Sequence, residues 1–279
     1  NKENNLSLFF KGVAMGVAEI IPGISGGTLA LILGVYERLI NAIHGFNFSL
    51  FHLVRKRELK EAWQQIDGTF ILILFVGMLV SIFMLSSLIL FFMDEYPIVF
   101  KSFLSAILLC SAFLEPLKPK ISKSFLIGLF ISLIVCSTLY LLPSKEIIEI
   151  KSWYVFFSGF IAITALVVPG ISGSFILLLL GSYTTMLQAV RNLDFLIISI
   201  FLLGAVIGLL SIVRVIKLLY ERQKDLLLAI FFGLIIFCIP LIWISTTSAL
   251  NSSIAVLPIL TGISFGVFLI FLIQKLRRN

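Results

Sequence analysis

One short polar string interrupts an otherwise apolar chain, and it occurs twice. Pro22-Gly23-Ile24-Ser25-Gly26-Gly27-Thr28 breaks the first apolar stretch, and Pro169-Gly170-Ile171-Ser172-Gly173-Ser174 breaks another 147 residues later. Proline ends an incoming helix because it lacks the N–H that the next turn needs. The glycines permit tight turns and close approach of a ligand. Ser25 and Thr28 can cap an outgoing helix, and Ser172 and Ser174 can do the same in the second copy. The first amides of such a helix carry free N–H groups and a positive dipole end. Two such ends facing one point would suit a phosphate or a carboxylate. Small residues also serve where two backbones must pack closely. Residue types alone leave both readings open.

Few other side chains could take part. Glu19 is the one acid inside either motif arm, and its counterpart in the second copy is Leu166. An ionisable group at membrane depth is a functional candidate by default. Glu19 is a candidate proton or cation carrier, the partner of a basic residue such as Lys11, Arg38 or Arg214, or a cap contact. Arg214 and Lys217 lie near the end of a long apolar run. They either snorkel to the interface or line an inner vestibule that meets an anionic head group. Arg191, just after the second motif, is either the outer first contact or an ordinary interfacial charge. Cys110, Cys136 and Cys238 each stand alone in an apolar run, and His44 and His52 flank one loop. No metal spacing or disulfide framework is indicated, and no cofactor or nucleic-acid partner is expected.

Composition dictates what holds these residues. Of 279 residues 60% are hydrophobic and 13% charged, with a mean hydropathy of +1.15. A soluble domain carries about 25% charged residues. A cytosolic enzyme, a disordered chain and a peripheral membrane protein are therefore excluded. The chain reads as one all-α polytopic membrane domain over 1–279. Six runs, at 70–92, 98–114, 124–142, 195–219, 226–245 and 254–273, match the roughly 20 apolar residues of a crossing. The segments 8–43 and 155–190 read instead as helix, break, helix, with arms of about 14–16 residues. Such arms reach about 21–24 Å, short of a full crossing. They are expected to be re-entrant hairpins, tolerated only where protein or a wet cavity surrounds them. The first is not read as a secretory signal, because it has a twin deep in the chain.

Aligning 9–36 with 156–183 gives thirteen identities in twenty-eight positions, including Pro-Gly-Ile-Ser-Gly and the Gly-x-Tyr of Gly34-Val35-Tyr36 and Gly181-Ser182-Tyr183. Three long spans follow each motif. The first copy has extra polar residues, roughly 51–67, that the second lacks. Two repeats are expected, about 8–142 and 153–275. A re-entrant hairpin returns to its own side and three spans then cross, so the second copy starts opposite the first and the repeats are inverted. On this arrangement Lys101, Lys145, Lys151 and Arg191 lie on one side, and the other seventeen of the 21 Lys and Arg residues lie on the other. The positive-inside rule makes the seventeen-residue side, with both termini, cytoplasmic. Inverted repeats with broken helices are a transporter architecture whose site lies near the midplane.

Lys11-Gly12, Glu19-Ile20-Ile21-Pro22-Gly23-Ile24-Ser25-Gly26-Gly27-Thr28 and Leu33-Gly34-Val35-Tyr36 together resemble the bacterial polyprenyl-phosphate translocases. Val168-Pro169-Gly170-Ile171-Ser172-Gly173-Ser174 fits the same pattern, with Ser174-Phe175 where the first copy has Gly27-Thr28. The resemblance spans nearly the whole chain. It implies a flippase of the bacterial inner membrane that returns undecaprenyl phosphate from the outer to the inner leaflet, for reuse in cell-wall and surface-polysaccharide synthesis. It places function on Glu19 and the two Pro-Gly-x-Ser-Gly tips. The partners so implied are a polyprenyl phosphate lipid and the bilayer, with a coupling proton or cation and an oligomeric state left open. The competing readings are a secondary transporter or channel for a small anion and, less favoured, a membrane-embedded lipid-phosphate enzyme. The second lacks a clustered nucleophile, base and metal or basic clamp.

Overall fold

A computed structural model describes residues 4–21, 25–141, 151–243 and 256–278. The described residues are helical. The first half runs α1 (Asn5–Ile20), α2 (Gly26–Ile32), α3 (Tyr36–His44), α4 (Phe48–Arg55), α5 (Leu59–Gln65), α6 (Gly68–Glu95), α7 (Pro97–Ala112) and α8 (Lys123–Leu141). The second runs α9 (Ser152–Val167), α10 (Gly173–Leu179), α11 (Tyr183–Arg191), α12 (Phe195–Arg222), α13 (Lys224–Trp243) and α14 (Val256–Arg278).

Helix lengths recur in order. α1, α2 and α3 have 16, 7 and 9 residues, and so do α9, α10 and α11. α6 and α12 both have 28. The extra polar segment of the first half forms α4 and α5, and α4 buries none of its residues. α6 and α12 are long and apolar enough to cross a membrane, at about 42 Å each. α7 is shorter than the run that predicted it, at 16 residues, or about 24 Å. Outward faces carry Phe83, Phe130 and Phe265, each more than half exposed. Apolar exposure on this scale would aggregate in water. In a bilayer it is the lipid-facing surface.

Packing depends on close backbone approach. A Cβ on Gly12 of α1 would strike the backbone of Leu74 on α6, and one on Gly77 of α6 would strike that of Phe9 on α1. The same contact recurs between α9 and α12, where Gly159 faces Phe201 and Gly204 faces Phe156. Lipid tails are as apolar as Leu, so helices in a bilayer gain little from burial and associate by such close packing. Among the other long helices, α7 pairs with α14 and α8 with α13, across the halves.

The arm that follows each motif, expected as one helix, is itself broken. α2 ends at Leu33, and Gly34 (φ 75°) turns the chain left-handed. Gly34 N donates to Leu31 O at 3.2 Å and Val35 N to Ala30 O at 2.9 Å. These are the two hydrogen bonds of a glycine-terminated helix end. Gly181 (φ 63°) does the same after α10, with Gly181 N to Leu178 O and Ser182 N to Leu177 O, both at 3.0 Å. α10 and α11 consequently meet at 110°. Each return runs only seven residues, about 10 Å, before the chain turns aside.

Candidate functional site

The two motifs meet. Ser25 caps α2, accepting a hydrogen bond from Gly27 N at 3.1 Å. Its own hydroxyl donates to Leu166 O, near the end of α9, at 2.6 Å. Thr28 Oγ1 accepts from Gly170 N at 2.8 Å, which ties the first turn of α2 to the break that follows α9. Tyr36 Oη donates to Val167 O at 3.2 Å. Ser25 and Thr28 are fully buried. Gly27 lies against the carbonyl of Val167, 2.7 Å from where a Cβ would stand, so glycine is required for this approach. Gly170 adopts φ +92° and packs on the backbone of α13 at Leu234 and Ile235.

The tips are not chemically equal. Glu19 Oε1 accepts from Gly26 N at 2.7 Å. Its carboxylate therefore sits at the amino end of α2, where the amides attract negative charge. In the second tip Leu166 replaces it, and Ser172 and Ser174 bond to each other at 2.8 Å between Oγ atoms. Ser172 makes no cap hydrogen bond to α10, and it and Gly173 are buried, while Ser174 is partly so. Pro169 is fully buried. Pro22 and Gly23, both expected at the first tip, lie outside the described residues.

The candidate cations lie on several elements. Lys11 Nζ donates to Leu33 O at 2.9 Å, bracing the far end of α2. Arg38 forms a two-point ion pair with Asp67, at 2.6 and 3.2 Å, and lies 4.3 Å over the ring of Phe70. Arg191 is exposed at the end of α11. Arg214 is exposed on α12, near His44, whose Nδ1 is 3.4 Å from Lys217 Nζ. Burial first, then the Lys217 and Arg214 charges, holds the His44 pKa below its usual 6.5. Sequence spacing could not show this cluster, because His44 and Lys217 are 173 positions apart. The Sγ atoms of Cys136 on α8 and Cys238 on α13, solitary in sequence, are 3.9 Å apart. Among the described residues no group of three or more His, Cys, Asp or Glu could hold a metal.

A cavity of about 220 Å³ borders the second motif and the residue just before the first. Ile21 closes it on one side and Gly170, Ile171 and Ser172 on another, with Lys101 of α7 also in its wall. In the sequence Lys101 enters only as one of the four basic residues on the sparser side. Its signal was its place inside the apolar run that follows Pro97.

Buried polar breaks locked together inside a helical body with lipid-facing sides define a multi-pass membrane protein of transporter type. The chain belongs to the VCA0040-like family, described as undecaprenyl phosphate translocase-like, whose model matches residues 15–273. It is 38% identical over 242 residues to a polyprenyl-phosphate transporter of Vibrio cholerae serotype O1, covering 86% of this chain and 78% of that one. It is 28% identical over 247 residues to a polyprenyl-phosphate transporter of Staphylococcus aureus, covering 81% and 82%. Family and relatives are described as transporters, not enzymes. No solved structure matches the chain.

Proposed function

We propose that the chain returns undecaprenyl phosphate, or a closely similar polyprenyl monophosphate, from the outer to the inner leaflet of the bacterial cytoplasmic membrane. The recovered carrier would re-enter envelope-polymer synthesis. The observation that carries this reading is the hydrogen bond from Gly170 N to Thr28 Oγ1. It joins two polar breaks inside an apolar body, at a place where a head group can leave one leaflet without meeting an unbroken hydrocarbon barrier. Most of the isoprenoid tail stays in lipid throughout. The names of the relatives from Vibrio cholerae and Staphylococcus aureus support this substrate class.

In this reading the halves, about 8–142 and 153–275, are inverted repeats. Each contributes a re-entrant hairpin and three spans, and both termini are cytoplasmic. The matched helix lengths and the seventeen-to-four division of basic residues support the arrangement. The head group binds between the tips, on Ser25, Gly26, Gly27 and Thr28 of one and Gly170, Ser172, Gly173 and Ser174 of the other. Glu19 holds the Gly26 amide, and two anions cannot share one donor in a medium of low dielectric. A phosphate reaching that amide displaces Glu19, which then takes up a proton or a cation. Translocation is coupled in this way.

Purified protein in liposomes should move labelled polyprenyl phosphate between leaflets. The double variant Ser25→Ala, Ser172→Ala should slow it by about tenfold or more, the equivalent of one lost charge-assisted hydrogen bond. Normal rates in that variant would sink the binding role of the tips. Glu19→Gln should flatten the dependence of the rate on pH, and an unchanged pH profile would remove Glu19 from the coupling.

A further inference from the structure

The first half carries an element that the second does without. Between α3 and α6 the chain makes α4 and α5, whereas α11 ends at Arg191 and α12 starts at Phe195. The second half settles its long span with no such insertion, so the repeated fold does not need one. The insertion is nonetheless built. Gln65 Nε2 donates to Gly45 O at 2.8 Å, and Ser49 Oγ donates to Gln65 Oε1 at 3.2 Å, which ties its start to its end. Trp63 fixes it to the span: Nε1 donates to Thr69 Oγ1 at 3.0 Å, and the ring lies where a Cβ on Gly68 would stand. α4 ends in a left-handed turn at Arg57 (φ 62°), so the cations around that turn stand on a defined backbone. Two kinds of residue face outward. Phe48, Phe51 and Leu59 are more than half exposed, and Val54 and Trp63 about half. Arg55, Lys56, Arg57 and Lys60 are exposed among them and outnumber Glu58 and Glu61. Both carboxylates stand at the start of α5, where the helix amides favour negative charge.

We propose that α4 and α5 form a docking surface for anionic phospholipid, lying in the head-group layer beside the amino end of α6. Aromatic and basic side chains interleaved on short helices are the chemistry of an interfacial segment. The rings enter the boundary between head groups and acyl chains, and the cations meet phosphates. Position favours lipid over a partner protein. α6 is long and apolar enough to cross a membrane, and it begins at Gly68, against the Trp63 ring. The head-group layer is therefore within reach of the insertion without any partner being supplied. The distribution of charge favours bulk phospholipid over a single bound head group. The cations are spread over α4, its turn and α5, and each adds attraction to a negative surface that fades within a Debye length. In the orientation proposed above this surface is the cytoplasmic leaflet. The docking itself does not depend on which lipid the protein carries.

Quenching by brominated lipid tests the surface in the full-length protein, reconstituted in liposomes of phosphatidylcholine and phosphatidylglycerol in equal amounts. The reporter protein carries Phe51→Trp, with Trp63, Trp153 and Trp243 each replaced by Phe, so that its one indole sits on α4. One of the two lipids is brominated at a time. Both should quench the indole, and brominated phosphatidylglycerol should do so at least about twofold more strongly. That ratio should fall to about one at ~1 M salt, where the Debye length is about 3 Å. It should fall equally when Arg55→Ala, Lys56→Ala, Arg57→Ala and Lys60→Ala are added together. Arg55→Lys with Arg57→Lys should keep it, because the charge is kept. Lys118→Ala, Lys120→Ala and Lys123→Ala together, in an exposed loop region on the same side, should leave it unchanged. Thermal melts confirm that the variants fold, and the salt series on the reporter protein decides if the fourfold alanine variant does not. No quenching by either lipid overturns the docking and leaves α4 to a partner protein. Equal quenching by both lipids at low salt overturns the anionic assignment. A ratio that survives the fourfold alanine change overturns the role of these cations. A reporter protein that shows the ratio but moves no polyprenyl phosphate keeps the surface and fails the transport reading, and the opposite pair of results does the reverse.

Discussion

At the scale of single residues, Ser25 holds the two motifs in register. Its hydroxyl donates to Leu166 O, 141 positions away, and accepts from Gly27 N in a fully buried position. Ser25→Ala leaves a carbonyl and an amide without that partner in apolar surroundings, which should cost about 1–3 kcal/mol. A lower melting temperature of the detergent-purified protein checks it. His44 gives a pH signature. Its pKa lies below 6.5, so the folded protein binds fewer protons there than the unfolded chain. The folded state keeps its full stability above about pH 6.5 and loses it as pH falls through the window below. His44→Gln should make the melting temperature less sensitive to acid below about pH 6.5, and an unchanged acid slope would count against this account. The motif residues were legible as a group because Pro, Gly and Ser are rare inside apolar runs. Their partners were not, since Leu166 and Val167 offer only backbone carbonyls, which carry no sequence signal.

The elements divide by how much they depend on distant contacts. Long apolar runs announced α6 and α12, because about 20 apolar residues in a row have few other stable states. The second break in each return arm was missed. Gly34 and Gly181 were visible as a repeated pair, yet a glycine in an apolar run reads equally as a packing contact or a helix end. The φ values of 75° and 63° and the hydrogen bonds around them decide for a helix end. Gly181→Ala should therefore cost roughly 1–2 kcal/mol, the usual penalty of a left-handed conformation for a residue with a Cβ. The melt of that variant should fall accordingly, with its helical content unchanged by circular dichroism. Small residues on α1, α6, α9 and α12 show the complementary limit. Nothing in the sequence says which helix pairs with which.

For the whole molecule, the telling feature is that packing partners cross between halves. α7 of the first half lies on α14 of the second, and α8 on α13. Cys136 and Cys238 sit on that second seam with Sγ atoms 3.9 Å apart. Copper phenanthroline, which takes two electrons and two protons from a thiol pair, should link them into an intramolecular disulfide. After cleavage at a protease site engineered into 142–150, the two halves should migrate as one species until reduced. Separate halves after oxidation would contradict the seam. Solitary cysteines in sequence gave no hint of this neighbourhood.

The amino-acid sequence alone determined that the protein lives in a membrane, that its broken helices occur twice and that polar chemistry concentrates at those breaks. These follow from local composition and from repetition, and both are properties of the chain read in one dimension. Only the tertiary structure decided that the breaks touch, that Glu19 occupies the Gly26 amide, that Lys11 meets Leu33 O and that Arg38 pairs with Asp67. It alone placed Lys101 in the wall of a cavity shared with Ser172. Each of those facts joins residues by backbone groups or by chance of packing. Neither hydropathy nor periodicity encodes such contacts, which exist only once the helices have settled against one another.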